Sequence, residues 1–264
     1  MEAGVRPRIV VIGSGNVASH LAPALDRHVG DVVQVMSRDL SHARALAGTL
    51  RGATAVDCPE DVVADADLYV VSVSDDSIIP LLDRLDCRQG LWMHTSGSVP
   101  MTVFQGRALR YGVLYPLQTF SRDVAVDMRR VPFFVEGSDD VEALAIHDIA
   151  ARISSSVHYA DSLVRRQLHV AAVFACNFTC QMWAEADEIL QRAELPFSTL
   201  LPLIEATFDK VRRVRPADAL TGPARRGDRN VIAAHMEMLP LPQREIYRCI
   251  SGRIIDRYHR GDEL

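Results

Sequence analysis

Arg8-Ile9-Val10-Val11-Ile12-Gly13-Ser14-Gly15-Asn16-Val17-Ala18 joins an apolar, β-branched run to a glycine turn and then to an amphipathic segment carrying Val17, Leu21 and Leu25. In such a strand-turn-helix junction the first glycine (Gly13) makes the tight bend. The second (Gly15) lets the backbone approach a pyrophosphate, and a small residue (Ala18) lets the new helix lie close on its strand. The free N–H groups and the positive dipole end of that helix then face the phosphates. The stretch therefore predicts a dinucleotide-binding α/β domain. Pro23 falls inside the expected helix and predicts a kink or a lost hydrogen bond to Ser19.

The second strand, 31–36, ends in Ser37-Arg38, about where an NAD-binding domain carries an acidic residue for the ribose 2′-hydroxyl. Arg38 pairs well with a 2′-phosphate and Ser37 can donate a hydrogen bond to it, so NADP(H) is the expected cofactor. Asp39, next in sequence, is the alternative and would serve NAD.

With 264 residues and 48% apolar content, the chain is long enough for two domains with real cores. It holds no stretch apolar enough to span a bilayer, and residues 1–8 are too short and polar for a signal peptide, which predicts a cytoplasmic protein. A net charge of −5 predicts neither a nucleic-acid nor a membrane surface. The cysteines Cys58, Cys87, Cys176, Cys180 and Cys249 form no CxxC pair and read as reduced, mostly buried thiols. Cys176 and Cys180 lie one helical turn apart, but Asn177 and Phe178 offer no further ligands, so no metal site is expected. Lys210 is the lone lysine among 29 basic residues and sits at a solvated helix end, so it receives no catalytic role.

Downstream, residues 41–50 read as a helix capped by Ser41, and 68–73 as a buried strand ending in Ser74-Asp75-Asp76. Asp75 or Asp76 is placed to cap a helix over 78–85. Strands follow at 90–94, 111–115, 131–136 and 157–159, with a helix at 139–153. Alternating strands and helices predict a parallel, doubly wound Rossmann sheet over 1–160. Ligands of such sheets bind beyond the strand C-termini, so the loops at Gly13, Ser37, Val73 to Asp76, His94 to Ser98 and Tyr115 to Gln118 should converge on one cleft.

From residue 161 to 264 the period becomes 3.6 and no strand is predicted. Residues 163–193 hold neither proline nor glycine and predict one long helix. Its middle is apolar nearly all round (Val173, Phe174, Phe178, Met182, Trp183), as in a bundle centre or a dimer interface, and a homodimer through this helical domain is expected. Arg166, His169, Val173, Asn177 and Cys180 share a stripe whose polar members need partners, in the core or on a ligand. Further helices are expected at 198–213, 228–238 and 243–259. Leu220-Thr221-Gly222-Pro223-Ala224-Arg225-Arg226-Gly227-Asp228 reads either as a plain connection or as a platform for an anionic substrate, with Asp228 capping the next helix.

The chain resembles a family of Rossmann-like proteins with a helical C-terminal domain of unknown function, predicted NADP-dependent oxidoreductases similar to deazaflavin-dependent NADP oxidoreductases. The resemblance rests on 12–18, His94-Thr95-Ser96-Gly97-Ser98, 112–120, 133–137, 169–178, and 221–228 with His235. Pyrroline-5-carboxylate reductases and prephenate dehydrogenases are wider relatives. The resemblance implies the fold and a redox role. Hydroxyacid dehydrogenases among the wider relatives use a lysine on the first long helix of the second domain, and that helix has none here, which argues against lysine-based alcohol oxidation. Tyr115-Pro116 resembles the His-Pro strand end that lies beside the nicotinamide in prephenate dehydrogenases. Tyr115, His94 and His169 thus become candidate acid or base groups, with Asn177 orienting the substrate.

The cofactor-binding candidates are Gly13, Ser14, Gly15, Asn16, Val17, Ser37, Arg38, Val73, Ser74, Ser96 and Gly97, with Gln118 and Arg226 toward the substrate. The leading expectation is reduction of a C=O or C=N bond in a small polar metabolite. The alternative is a non-catalytic protein that binds NADP(H) and acts through a partner.

Overall fold

The computed structural model describes residues 6–85 and 89–259. Cys87 and residues 1–5 and 260–264 lie outside them, and with them part of the leader reading. Two compact units emerge, 1–177 and 178–264.

The first unit is built on eight strands, β1 (Arg8–Ile12), β2 (Asp31–Met36), β3 (Thr54–Val56), β4 (Leu68–Val71), β5 (Leu91–His94), β6 (Arg110–Pro116), β7 (Phe133–Gly137) and β8 (Val157–Tyr159). Their order is β3-β2-β1-β4-β5-β6-β7-β8, so the chain switches sides at β1, where the glycine turn leaves the sheet. Side chains alternate across β1: Ile9 and Val11 enter one apolar layer with Leu21 and Leu25, while Val10 and Ile12 enter the other with Tyr69, Trp92 and Phe104. All four β1 residues from Ile9 onward are at most 1% exposed, which is why the run lacks polar alternation.

The sheet is not wholly parallel. β6 and β7 pair antiparallel, Leu114 opposite Val135. The connection between them holds only a short 3-10 turn, Met128–Arg130, and no crossover helix, so β7 returns beside β6 as in a wide hairpin. The strand β3 escaped the sequence reading because its three residues carry little pattern.

Helices α1 (Asn16–His28), α2 (Leu40–Ala47), α3 (Asp75–Leu82) and α4 (Asp140–Ile153) complete the layers. Pro23 does not end α1, which runs on to His28. The cap of α2 is Asp39 rather than Ser41: its carboxylate accepts from the Ser41 and His42 amides. For α3 the N-cap is Ser74, with no side-chain cap bond; Asp75 and Asp76 lie in the first turn, where they favour the dipole instead. Asp139 caps α4 through the Glu142 amide.

The expected long helix over 163–193 runs without interruption from Ser162 to Arg192 in three windings: α5 (Ser162–Ala172), a π-helical stretch Val173–Phe178, and α6 (Thr179–Arg192). In the second unit follow α7 (Leu201–Val211), α8 (Pro216–Ala219), α9 (Pro223–Arg226), α10 (Arg229–Met238) and α11 (Leu241–Tyr258). Asp228 occupies the N-cap of α10 without capping it; its carboxylate instead pairs with Arg226, 2.9 Å from Nε. Among the described cysteines, Cys58, Cys180 and Cys249 are exposed and Cys176 half-buried, contrary to the buried reading. No described helix is long and apolar enough to cross a membrane.

Candidate functional site: a cavity beyond the strand ends

A cavity of about 970 Å³ lies at the C-terminal ends of β1, β2, β4, β5 and β6. All eleven cofactor candidates line it, from Gly13 through Ser37 and Arg38 to Ser96 and Gly97, together with Tyr115, Gln118 and His169. The local geometry suits a dinucleotide. Gly13 has φ +117°, and a Cβ there would stand 2.0 Å from the Ser72 carbonyl oxygen, so only glycine fits. At Gly15 a Cβ would meet nothing within 4 Å. The protein's own packing leaves that position free, as close approach of a phosphate requires. Neither an acidic residue in the first turn of α1 nor a side-chain cap competes for the free N–H groups.

At the β2 end, the Ser14 hydroxyl donates to Ser37 Oγ at 2.8 Å, tying the glycine turn to the loop that reads the 2′ position. Arg38 is exposed and makes no hydrogen bond or ion pair with the described residues. Asp39, by contrast, is occupied. Its carboxylate accepts from the Ser41 hydroxyl and amide, which hold its pKa below the usual carboxylate value. A carboxylate committed to capping α2 is poorly placed to serve a ribose hydroxyl, whereas Arg38 is unpaired among the described residues.

At the β5–β6 end, His169 on α5 lies against Gly97. A Cβ on Gly97 would come within 2.6 Å of His169 Nδ1, so this glycine is the seat of the imidazole. Nδ1 lies 3.0 Å from the Tyr115 hydroxyl, with the two rings edge to face. Tyr115 is 7% exposed, and burial raises its pKa above 10 despite the opposing charge of Arg165, so it stays a phenol at neutral pH. An imidazole with Nδ1 unprotonated accepts the phenol's hydrogen bond there; one protonated at Nδ1, neutral or charged, donates to the phenol oxygen.

Arg165, which the sequence reading passed over for its neighbour Arg166, positions α5. It is fully buried. It pairs with Glu136 Oε2 at 3.2 Å, donates to the Val99 carbonyl at 2.6 Å and more weakly to the Ser96 carbonyl at 3.4 Å. Glu136 in turn accepts from the Ser162 amide at 2.8 Å and from its hydroxyl. The loop after β5, strand β7 and the start of α5 are thereby locked together, one helical turn before His169. Arg166 is exposed and, among the described residues, bonds only the Ser162 carbonyl of its own helix.

Two expected catalytic groups are not in the cavity wall. His94 is wholly buried, stacked near Phe104, and its Nδ1 accepts from the Ser96 amide at 3.1 Å. Burial first, then the Arg165 charge, lower its pKa to about 3, with the Pro100 backbone opposing weakly. It is a neutral group that shapes the Thr95-Ser96-Gly97 loop from beneath. Asn177 is exposed and also absent from the lining. Arg226 belongs to the second unit, with its guanidinium on Asp228. Arg122, from the loop between β6 and β7, lines the cavity unforeseen and donates to the Ser14 carbonyl at 2.6 Å.

A glycine turn at a topological switch, with a basic 2′ end and a hydroxyl–imidazole pair beyond it, defines a Rossmann-type nucleotide-dependent protein. Comparison with known proteins narrows the class. Residues 8–92 match the model of the family described as NADP oxidoreductase, coenzyme F420-dependent, and residues 131–254 match that of a domain of unknown function (DUF2520). A candidate NADP oxidoreductase of Bacteroides fragilis is 42% identical over 96% of this chain and 99% of its own, with a TM-score of 0.90. The chain belongs to the NADP oxidoreductase family that joins these two domains. More distant are an imine reductase of Streptomyces aurantiacus and a pyrroline carboxylate reductase of Plasmodium falciparum solved with NADP bound. The first is 16% identical (TM-score 0.66; 97% of this chain and 94% of that one). The second is 12% identical (TM-score 0.57; 96% and 100%), and both share the fold. No curated protein matches the sequence.

Proposed function

We propose that this oxidoreductase uses NADPH to reduce a C=O or C=N bond in a small polar metabolite. The observation that carries the reading is the Tyr115–His169 pair, seated on Gly97 in the same cavity that begins at the glycine turn. Gly13 to Val17 and the start of α1 would hold the pyrophosphate, and Ser37 with Arg38 the 2′-phosphate. When bound, NADPH supplies the hydride. The chain's own residues do the rest. His169 gives the proton to the substrate oxygen or nitrogen, and the Tyr115 hydroxyl holds the ring and keeps its Nδ1 partnered. Gln118 and the Ser96-Gly97 backbone orient the polar substrate. The names of the imine and pyrroline carboxylate reductases support a C=N acceptor, and the F420 family description supports trying a deazaflavin.

The test is NADPH oxidation followed by absorbance across keto acids, cyclic imines and a deazaflavin. Turnover with one class, lost in His169→Ala while NADPH binding persists, supports the assignment; NADPH binding without oxidation by any acceptor overturns it in favour of a non-catalytic nucleotide-binding role.

We also propose that the helical unit pairs with a second copy. Among its described residues only Ala224, Ile232, Gln243 and Ser251 are buried, whereas Leu203, Phe208 and Met238 are more than 60% exposed. Such a unit buries too little apolar surface of its own. Light scattering at micromolar concentration should give twice the 29.2 kDa chain mass, and a monomeric mass would refute the pairing.

A further inference from the structure

The segment leaving β6 crosses the start of α1 before it reaches β7, and side chains on both hold it there. Arg122 donates to the carbonyl of Ser14, inside the glycine turn, at 2.6 Å. Two residues on, the Val124 carbonyl stands 2.9 Å from Nε2 of His20, whose ring also packs on Phe120 with centroids 5.1 Å apart. We propose that residues 120–124 form a clasp over the pyrophosphate loop, in which Arg122 binds the dinucleotide's pyrophosphate and His20 takes up a proton as the clasp closes on it. The proposal rests on the reading of the cavity as a dinucleotide site.

Arg122 lines the same cavity as Gly13, Gly15 and Asn16. A guanidinium has five N–H donors, and the Ser14 carbonyl takes one. A helix start offers about half a positive charge against the double charge of a pyrophosphate. Arg122 adds a full charge, in a donor arrangement suited to phosphate oxygens.

His20 supplies the second part. Its Nε2 faces the Val124 carbonyl, and its Nδ1 faces the Asn16 carbonyl at 3.0 Å. A neutral imidazole has one N–H and meets only one of these oxygens as a donor; the imidazolium meets both. The Ser19 hydroxyl, 3.2 Å from Nδ1, is already turned to the Asn16 carbonyl at 2.9 Å. Around the ring, then, stand the Asn16 carbonyl and Ser19 hydroxyl from α1, and the Phe120 ring and Val124 carbonyl from the clasp. Among the described residues no carboxylate hydrogen-bonds it. The clasp's charged residues are Arg122 and the exposed Asp123. A pyrophosphate bound at the start of α1 places an anion near the ring and favours the imidazolium, the form that meets both carbonyls, so dinucleotide and proton bind together.

The experiment is titration calorimetry of NADPH in two buffers of different ionisation enthalpy, on the natural chain and on His20→Gln, Arg122→Ala and Arg122→Lys. His20→Gln should take up measurably fewer protons than the natural chain, a difference that cancels any titration of NADPH itself. Arg122→Ala should raise the NADPH Kd about ten-fold and Arg122→Lys less. Equal proton uptake in His20→Gln, or unchanged affinity in Arg122→Ala, overturns the clasp while leaving the dinucleotide site standing. Failure of the natural chain to bind NADPH overturns both. Melting temperatures of the three variants should match that of the natural chain, since all the substituted side chains reach solvent.

Discussion

Replacing Gly97 by alanine tests the seat of His169 more sharply than removing the histidine itself. Gly97 carries no positive φ, so the backbone accepts alanine, and the perturbation is purely steric. The new methyl would stand 2.6 Å from Nδ1 and 2.9 Å from Cβ of His169. These fall short of the 3.4 Å of ordinary contact by about 0.8 and 0.5 Å. Because Cβ is among the clashing atoms, turning the ring does not relieve the overlap; α5 itself must shift. That helix is held by Arg165 to the Ser96 and Val99 carbonyls of the loop that carries Gly97, so the overlap has no cheap outlet. Overpacking of this kind costs about 1–3 kcal/mol, or roughly 2–12 °C in melting temperature for a chain of this size. A displacement approaching 1 Å at a proton donor costs about 100-fold in kcat. Gly97→Ala should therefore lose turnover by about two orders of magnitude with the acceptor found for the natural chain, with a modest fall in melting temperature. Unchanged turnover and melting temperature would show that His169 is not held against Gly97, and the catalytic pair would have to be abandoned.

Arg38→Ala should erase the preference for NADPH over NADH, a loss of about 1.5–3 kcal/mol for a charge-assisted contact, read as the ratio of the two calorimetric dissociation constants. Arg165→Met leaves Glu136 without its cation in a buried setting and should destabilise the fold by about 3–5 kcal/mol in urea unfolding, with Glu136→Gln added to Arg165→Met recovering part of the loss. His94 has a folded pKa near 3 against 6.5 unfolded, so the unfolded chain binds the extra proton between those values. Its contribution is complete above about pH 6.5 and is lost as pH falls toward 3, on the order of a few kcal/mol, and His94→Gln should flatten that acid limb.

What could be read from the sequence and what could not divides along a physical line. The glycine turn, the strands of the first half and the cofactor end were legible because each is a local pattern: four apolar residues, two glycines at fixed spacing, a basic residue at the end of β2. Tyr115 and His169 were legible as types at strand and helix positions, but their 3.0 Å contact is tertiary. The misreadings are questions of phase and competition. Ser41 and Asp39 are both good caps, and the choice falls to the residue whose carboxylate reaches two amides. The antiparallel return of β7 had a usable signal, since residues 117–132 show no helical period between two strands. Arg165 had none. A lone arginine on a polar turn reads as solvated, and only the tertiary approach of the Glu136 carboxylate and the Ser96 and Val99 carbonyls makes its position a core one. Asn177 failed for a subtler reason. A stripe fixes a direction and not a reach: eight residues at about 1.5 Å each put Asn177 about 12 Å along the axis from His169, and it lies outside the cavity lining. The i to i+5 winding across Val173–Phe178 also shifts the phase that a single 3.6-residue period assumes, and no residue type marks the shift, because the same side chains satisfy either winding. The residues that a π turn places on the face of α5 are therefore decided by what packs there, and a catalytic role for any residue beyond Ala172 requires a measured contact rather than a helical wheel.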